Sequence, residues 1–322
     1  MKLVAEAFAK VNRSLLVLGR RPDGFHELDT VFQAVGLTDR LSFEESDVLS
    51  LRVDDPSVPA GPENLVLRAA RLLAEEAGVK ARAAIGLEKR IPSGGGLGGG
   101  SSDAAVTLLG LSALWGLDAP LETLAEIGAR LGSDVPFFLH GGSARGTGRG
   151  ERIAPLPDLP PKGVVLVMPP FPAATPEVFR RLGAPEWDGH RGDAGGGLPD
   201  RNDLEPAAEA LFPQLRAVRE ALAAAGAEQA RLSGSGSTVF GLFPDLAAAA
   251  EAARRLDGLP VGSAIRVVPT WSREECRFRS GPRRSREGPP PVWGSGQGVS
   301  QRSLEPPFGG SNPPSPARMR EP

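Results

Sequence analysis

Between Ile91 and Ala105 the chain reads IPSGGGLGGGSSDAA, six glycines and a serine pair at the mouth of an apolar helical stretch. Glycine lets the backbone approach a ligand closely and adopt positive φ, and a helix that follows presents free N–H groups and a partial positive charge to an anion. Ser101 or Ser102 is the expected N-cap, and Ala104, Ala105, Val106, Leu108, Leu109, Leu111, Leu114 and Trp115 give a helix packed on both sides. A flexible tether has no such helix after it, so the run reads as a phosphate cradle. No lysine follows the glycines, which excludes the Walker pattern, and the dinucleotide fingerprint also fits poorly.

The 322 residues suffice for two domains with their own cores. A formal charge of −2 gives no general attraction to nucleic acid or to an anionic membrane, so a polyanionic partner must be bound locally. Cys276 is the single cysteine, so no intrachain disulfide is possible. Glu6 and Lys10 interrupt any signal-peptide core, and no apolar run approaches the roughly 20 residues of a membrane span. The expectation is a cytoplasmic protein with no membrane partner.

Near Trp271 the patterning changes. Residues 271–322 hold nine Arg against five Glu, a net of +4 that leaves −6 for residues 1–270. Ten prolines, seven glycines and few aliphatic residues predict a disordered, dispensable tail. Within the body, Leu3–Ala9, Ser14–Leu18, Thr30–Gly36 and Arg40–Phe43 read as strands, with a turn at Pro22-Asp23-Gly24. Asn64 opens a helix to about Ala77, Ala83–Lys89 leads into the glycine loop, and Leu121–Leu131 is amphipathic. A first domain closes near residue 150. The second, 151–270, opens on the buried strand GVVLVM and has helices at about 175–182, 206–225 and 246–256. Two strands flank a second Gly/Ser turn at Ser233–Thr238, and Ile265–Val268 is a last strand, a βαβ-like pattern; 183–201 reads as a mobile loop.

Five segments, AKVN (9–12), RRPDGFHEL (20–28), PSGGGLGGGSSDAA (92–105), GSDVPFF (132–138) and LSGSGSTVF (232–240), together resemble the galactokinase, homoserine kinase, mevalonate kinase and phosphomevalonate kinase (GHMP) superfamily of small-molecule kinases. AKVN with RRPDGFHEL is most similar to the branch whose substrate is a cytidine-diphosphate-linked methylerythritol of the non-mevalonate isoprenoid pathway. The resemblance covers about residues 3–270 and implies an α+β fold of two domains: an N-terminal β-α domain with the phosphate loop and a C-terminal sheet-plus-helices domain, with the active site in the cleft between them.

The resemblance implies phosphoryl transfer from ATP, with Asp134 as the catalytic carboxylate and Lys10 as its partner. From residues alone, Asp134 reads as a helix cap and Lys10 as a surface lysine. Pro92, Gly94, Gly95, Gly96, Leu97, Gly98, Gly99, Gly100, Ser101 and Ser102 would hold the phosphates, and Asn64 would lie near adenine, although helix capping explains Asn64 equally well. Asn12, Phe25, His26, Ser235 and Thr238 would bind the acceptor, with Phe25 and His26 on the cytosine. Phe25 departs from the tyrosine usual there, and Arg13 stands where an apolar residue is common. No spacing fits a protein-only metal site, so Mg²⁺ is expected to arrive with ATP, with Ser102 as a possible ligand.

Rival readings are a related homoserine, mevalonate or sugar kinase, a catalytically silent sensor on the same fold, and nucleic-acid binding through the basic tail. The last predicts a steep salt dependence.

Overall fold

The computed structural model of the chain describes residues 1–189 and 200–284. These described residues pack as one compact unit. Two 19-residue strands, β1 (Lys2–Arg20) and β2 (His26–Glu44), form a long antiparallel ribbon where the sequence suggested four short strands. Register shifts at Phe8/Ala9, Asn12/Ser14 and Val17/Gly19 explain why the alternation seemed to break: each bulge resets which face is buried without ending the pairing.

The ribbon is the spine of a seven-stranded sheet. Past β1 and β2 come β3 (Leu49–Val53) and β4 (Ala83–Glu88), joined by α1 (Leu65–Ala77). The early half of β2 pairs with β5 (Ser143–Gly148), which pairs with β6 (Arg152–Pro155). One face is covered by α1, by α2 (Gly99–Trp115), α3 (Leu121–Leu131) and α4 (Val135–His140) over a core rich in phenylalanine, including Phe8, Phe32, Phe43, Phe137 and Phe138. The central helix α2 is buried nearly all round, and at Gly110 a Cβ would lie 2.3 Å from the Phe43 ring, so the helix sits directly on the sheet.

The second half is a four-stranded sheet in the order β10 (Ala264–Pro269), β7 (Gly163–Met168), β9 (Val239–Phe243), β8 (Gln229–Leu232), every pair antiparallel. The βαβ expectation is therefore corrected: β8 and β9 are a hairpin around the Gly/Ser turn. Helices α5 (Thr175–Leu182), α6 (Glu205–Leu211), α7 (Gln214–Ala224) and α8 (Leu246–Arg255) complete this half. The single helix expected over 206–225 is two, because Pro213 lacks the N–H that would continue the ladder. A third core of Ala9, Val11, Val35, Ile91, Leu97, Val164, Leu166 and Phe240, among others, joins the two sheets. Of the expected loop at 183–201, residues 190–199 lie outside the described residues. Its flanks are tied to β1, with Arg20 N donating to Pro185 O (2.7 Å) and Leu15 N to Arg201 O (2.9 Å).

The expected tail starts too early. Residues 273–280 form α9 and Arg283–Arg284 form β11, paired antiparallel with β1 at Val4 and Leu3. Ser272 and Glu275 make a reciprocal capping box, and Trp271 and Cys276 are buried. The Trp271 N–H donates to Ala34 O (2.9 Å), and Arg279 stacks on the Trp271 ring at 4.7 Å. Burial pushes the Cys276 thiol up to about 12, so it behaves as a packing group. The inward Trp271 and Cys276 offset the polar composition of the segment; the expected disorder over 285–322 lies outside the described residues. A chain ending at Thr270 is expected to melt well below the full chain, and Trp271→Ala to cost about 3–5 kcal/mol in denaturant unfolding, the range for emptying a large buried aromatic.

Candidate active site

A cleft of about 980 Å³ opens between the halves. It is lined by Lys10, Asn12, Phe25, His26, Pro92, Gly94, Gly95, Gly96, Gly98, Gly99, Gly100, Ser101, Asp134 and Ser235, so most of the expected site converges there.

The floor is the glycine loop. Gly94, Gly96 and Gly98 alternate in the left-handed region (φ 72, 76 and 74), which turns successive backbone groups toward one concavity suited to an anion. At Gly96 a Cβ would lie 2.0 Å from the Ser233 carbonyl oxygen, and at Gly98 one would lie 2.6 Å from the Phe138 ring. The loop is clamped from three sides: Lys10 N donates to Leu97 O (3.0 Å), Thr238 N to Gly95 O (3.1 Å) and Ser233 Oγ to Gly96 O (2.8 Å). The N-cap of α2 is Gly98, not Ser101 or Ser102, and its side-chain-free position leaves the N-terminal N–H groups of the helix available to a ligand.

Several expected contacts take supporting positions instead. Leu97 is buried in the core between the sheets. Asn64 caps α1, its Oδ1 accepting from Val66 N (2.9 Å) and its Nδ2 donating to Pro59 O (2.6 Å), and it does not line the cleft. Thr238 and Ser102 are fully buried behind the lining, each with a hydroxyl that has no hydrogen-bond partner among the described residues.

Lys10 and Asp134 face each other. Lys10 Nζ lies 3.5 Å from Asp134 Oδ2; the lysine side chain is 4 % exposed and the aspartate 32 %, so the cation is fixed and the carboxylate faces the cleft. The ammonium also donates to Asn12 Oδ1 (2.6 Å), Asn12 Nδ2 donates to Thr30 Oγ1 (2.8 Å), and Thr30 Oγ1 donates to Ser14 O (2.6 Å). This chain across β1 and β2 holds Lys10 in one orientation. Asp134 stands at the start of α4 but makes no capping hydrogen bond, which disposes of the capping reading. Arg13 lies outside the cleft, near Asp200 and Glu228 in charge terms, and burial lowers its guanidinium pKa against their pull.

At the far end the β1–β2 turn projects Phe25, 50 % exposed, with the Arg149 guanidinium 4.7 Å from its ring centre. Phe179 of α5 stacks on His26 with centroids 4.5 Å apart. Burial, then the nearby charge of Arg20, holds His26 below its ordinary pKa, so the neutral ring offers one donor and one acceptor. Phe179 and Arg149 escape sequence reasoning, since they come from distant elements that no local pattern marks; Arg20 opens the RRPDGFHEL segment, where no residue pattern gives it a role. Ser235 Oγ lies 2.8 Å from Thr175 Oγ1 across the mouth.

Behind the loop, Lys89 lies between Asp39 (2.5 Å) and Asp103 (2.8 Å). Burial pushes the Asp103 carboxyl up to about 8 against the pull of Lys89. Burial alone would lower Lys89, but the two carboxylates together raise it. Among the described residues no group of three or more His, Cys, Asp or Glu could hold a metal ion. Nor is any helix among them long and apolar enough to cross a membrane.

Residues 64–142 match the GHMP kinases N terminal domain, and residues 191–259 match the GHMP kinases C terminal domain. The 4-diphosphocytidyl-2-C-methyl-D-erythritol kinase of Pelotomaculum thermopropionicum is 44% identical over 270 residues, covering 79% of this chain and 94% of its own. The protein of the same name from Paramagnetospirillum magneticum is 45% identical over 265 residues, covering 78% of this chain and 92% of its own. A crystal structure of 4-(cytidine 5'-diphospho)-2C-methyl-D-erythritol kinase superposes with a TM-score of 0.67 at 40% identity, covering 82% of this chain and 98% of the other. A homoserine kinase structure from Cytophaga hutchinsonii, at 20% identity and TM-score 0.64, shares the fold.

Gly96→Ala is expected to abolish ADP binding measured by calorimetry, since it meets both positive φ and backbone at 2.0 Å. Gly78→Ala, at φ 66 with open space around it, should cost only about 1–2 kcal/mol of stability and leave binding intact.

Proposed function

The chain belongs to the GHMP kinase family, and from that premise we propose that it transfers the γ-phosphoryl group of ATP to the 2-hydroxyl of 4-diphosphocytidyl-2-C-methyl-D-erythritol. The reading is carried by one observation: Lys10 and Asp134 pair at 3.5 Å in a cleft that has a glycine cradle on one side and an aromatic wall of Phe25, His26 and Phe179 on the other. The cradle suits the nucleotide phosphates and the wall suits a flat base. Homoserine and mevalonate have no base to stack, and a silent sensor has no need of an oriented lysine–carboxylate pair. Residues 1–150, with β6 (Arg152–Pro155) completing their sheet, would form the nucleotide-binding half and the remainder of 151–270 the other, in a cytoplasmic enzyme with small-molecule partners and no nucleic-acid role.

Asp134 takes the proton of the attacking hydroxyl while the new O–P bond forms and the bond from the γ-phosphorus to the β–γ bridging oxygen breaks, releasing ADP. A carboxylate is a poor base toward an alcohol, so the proton moves late, when the phosphorus has already drawn charge from the oxygen. Lys10, held by Asn12 and Asp134, offsets the negative charge and needs no reorganisation as it develops. The loop orients the phosphates through backbone N–H groups and the α2 N-terminus. Mg²⁺ would arrive with ATP and would supply shielding of the phosphate charge.

At the base end, cytosine would stack on Phe25 and hydrogen-bond to neutral His26. Stacking survives the lack of a tyrosine hydroxyl at this position; any hydrogen bond from one does not. Arg149 and Arg20, both in the lining, stand where the substrate diphosphate would cross from base to acceptor hydroxyl.

Asp134→Asn is expected to fold and to bind ATP but to lose turnover by roughly 10²-fold or more, the scale of a positioned base; near wild-type turnover would remove Asp134 from the mechanism. Phe25→Ala and His26→Ala should raise KM for the cytidine substrate and leave KM for ATP alone, by about tenfold to a hundredfold if stacking contributes about 1–3 kcal/mol. Normal substrate binding by both variants would overturn the assignment of the base. Steady-state kinetics against homoserine, mevalonate and galactose would separate the family alternatives.

A further inference from the structure

Lys89 is enclosed by two carboxylates at the back of the phosphate loop, with side-chain exposures of 5 % for Lys89, 0 % for Asp39 and 4 % for Asp103. Three buried ionisable groups are a costly arrangement, and well-packed apolar residues of similar volume would stabilise the fold as well or better. What the cluster does have is a particular connectivity. Asp39 belongs to β2, and its Oδ1 accepts from the backbone N–H of Arg90 and of Ile91 (2.8 Å), fixing the direction in which the chain enters the loop. Asp103 belongs to the second turn of α2, where the chain leaves it. Lys89 joins the two, so one ammonium spans the loop from entry to exit. The head group lies against the helix start, where a Cβ on Gly99 would be 3.3 Å from Nζ.

The loop between these points is built on three left-handed glycines, which have more alternative conformations than any other residue. Its clamps from Lys10, Ser233 and Thr238 bind carbonyls in its middle and do not set the angle between the incoming strand and α2. We propose that Lys89, gripped by Asp39 and Asp103, is the positioning residue that holds the phosphate loop and the α2 N-terminus in register for the nucleotide. Lys89 is absent from the cleft lining and acts through the backbone alone. The inference rests on the reading of the loop as the ATP phosphate site.

Lys89→Met keeps the length of the side chain and removes its charge. ADP affinity by calorimetry is expected to fall by about tenfold to a hundredfold, the effect of misplacing binding groups by about 1 Å. KM for ATP should rise in parallel while KM for the cytidine substrate stays put. Leu73→Ala, in α1 within the same first-half core, controls for lost stability: it should lower the melting temperature and leave ADP affinity unchanged. Should Lys89→Met fail to fold, Asp39→Asn carries the test, since it keeps the shape and an oxygen for the Arg90 and Ile91 N–H groups but turns an amide NH2 toward Lys89, and weaker ADP binding is again expected. Wild-type ADP affinity in either folded variant, or an equal loss of both substrates, overturns the proposal. Failure of the wild-type chain itself to bind ADP would instead refute the reading of the loop.

Discussion

The backbone pairing of β1 with β2 is the constraint on which the rest of the molecule hangs. Two strands of 19 residues run past the core of the first half, the core between the sheets and, at Leu15, the core of the second half. Lys10 and Asn12 stand near the middle of the ribbon and Phe25 and His26 at its turn. Their separation is thereby set by strand geometry, about 3.3 Å per residue. A shift of one residue in the pairing would turn Lys10 away from Asp134 and bury the wrong face, so the register of the core and that of the site are one quantity.

Charge in the cleft is handled by the same economy of orientation. Lys10 is nearly enclosed, and the Asn12–Thr30–Ser14 relay leaves it few directions in which to point. Asp134 retains exposure toward the incoming hydroxyl. The phosphate side relies on backbone N–H groups, whose charge is partial and whose positions are set by the fold. Such groups cost no side-chain entropy when a ligand arrives.

Much of this is legible in the chain because local chemistry announces it. The glycine loop declares its positive-φ positions by residue type, Asn64 announces the start of α1, and Pro22-Asp23-Gly24 announces the turn that carries Phe25. The placement of Lys10 beside Asp134 is not local, and residue patterns alone leave both with bland readings; the resemblance of AKVN and GSDVPFF to known kinases supplied what spacing did not. Arg149 and Phe179 were illegible because they reach the cleft only through tertiary packing of β5–β6 and of α5. The Lys89 cluster was hidden for a similar reason, since its three members are 50 and 14 residues apart in sequence. At α9, composition averaged over a long arginine-rich stretch masked the inward Trp271 and Cys276 and a Ser-x-x-Glu capping signal that a shorter window contains.

The small strand β11 has a meaning beyond stability. β1 would otherwise end the sheet near Leu3 and Val4 with unpaired backbone groups beside apolar side chains, the kind of border along which sheets of separate molecules join. Two residues occupy that border, both exposed arginines, and so short and charged a strip offers a poor template for another strand. Arg283 and Arg284 thus act as gatekeepers against edge-to-edge association, and the basic character that made this segment look expendable is what suits it to guarding the sheet.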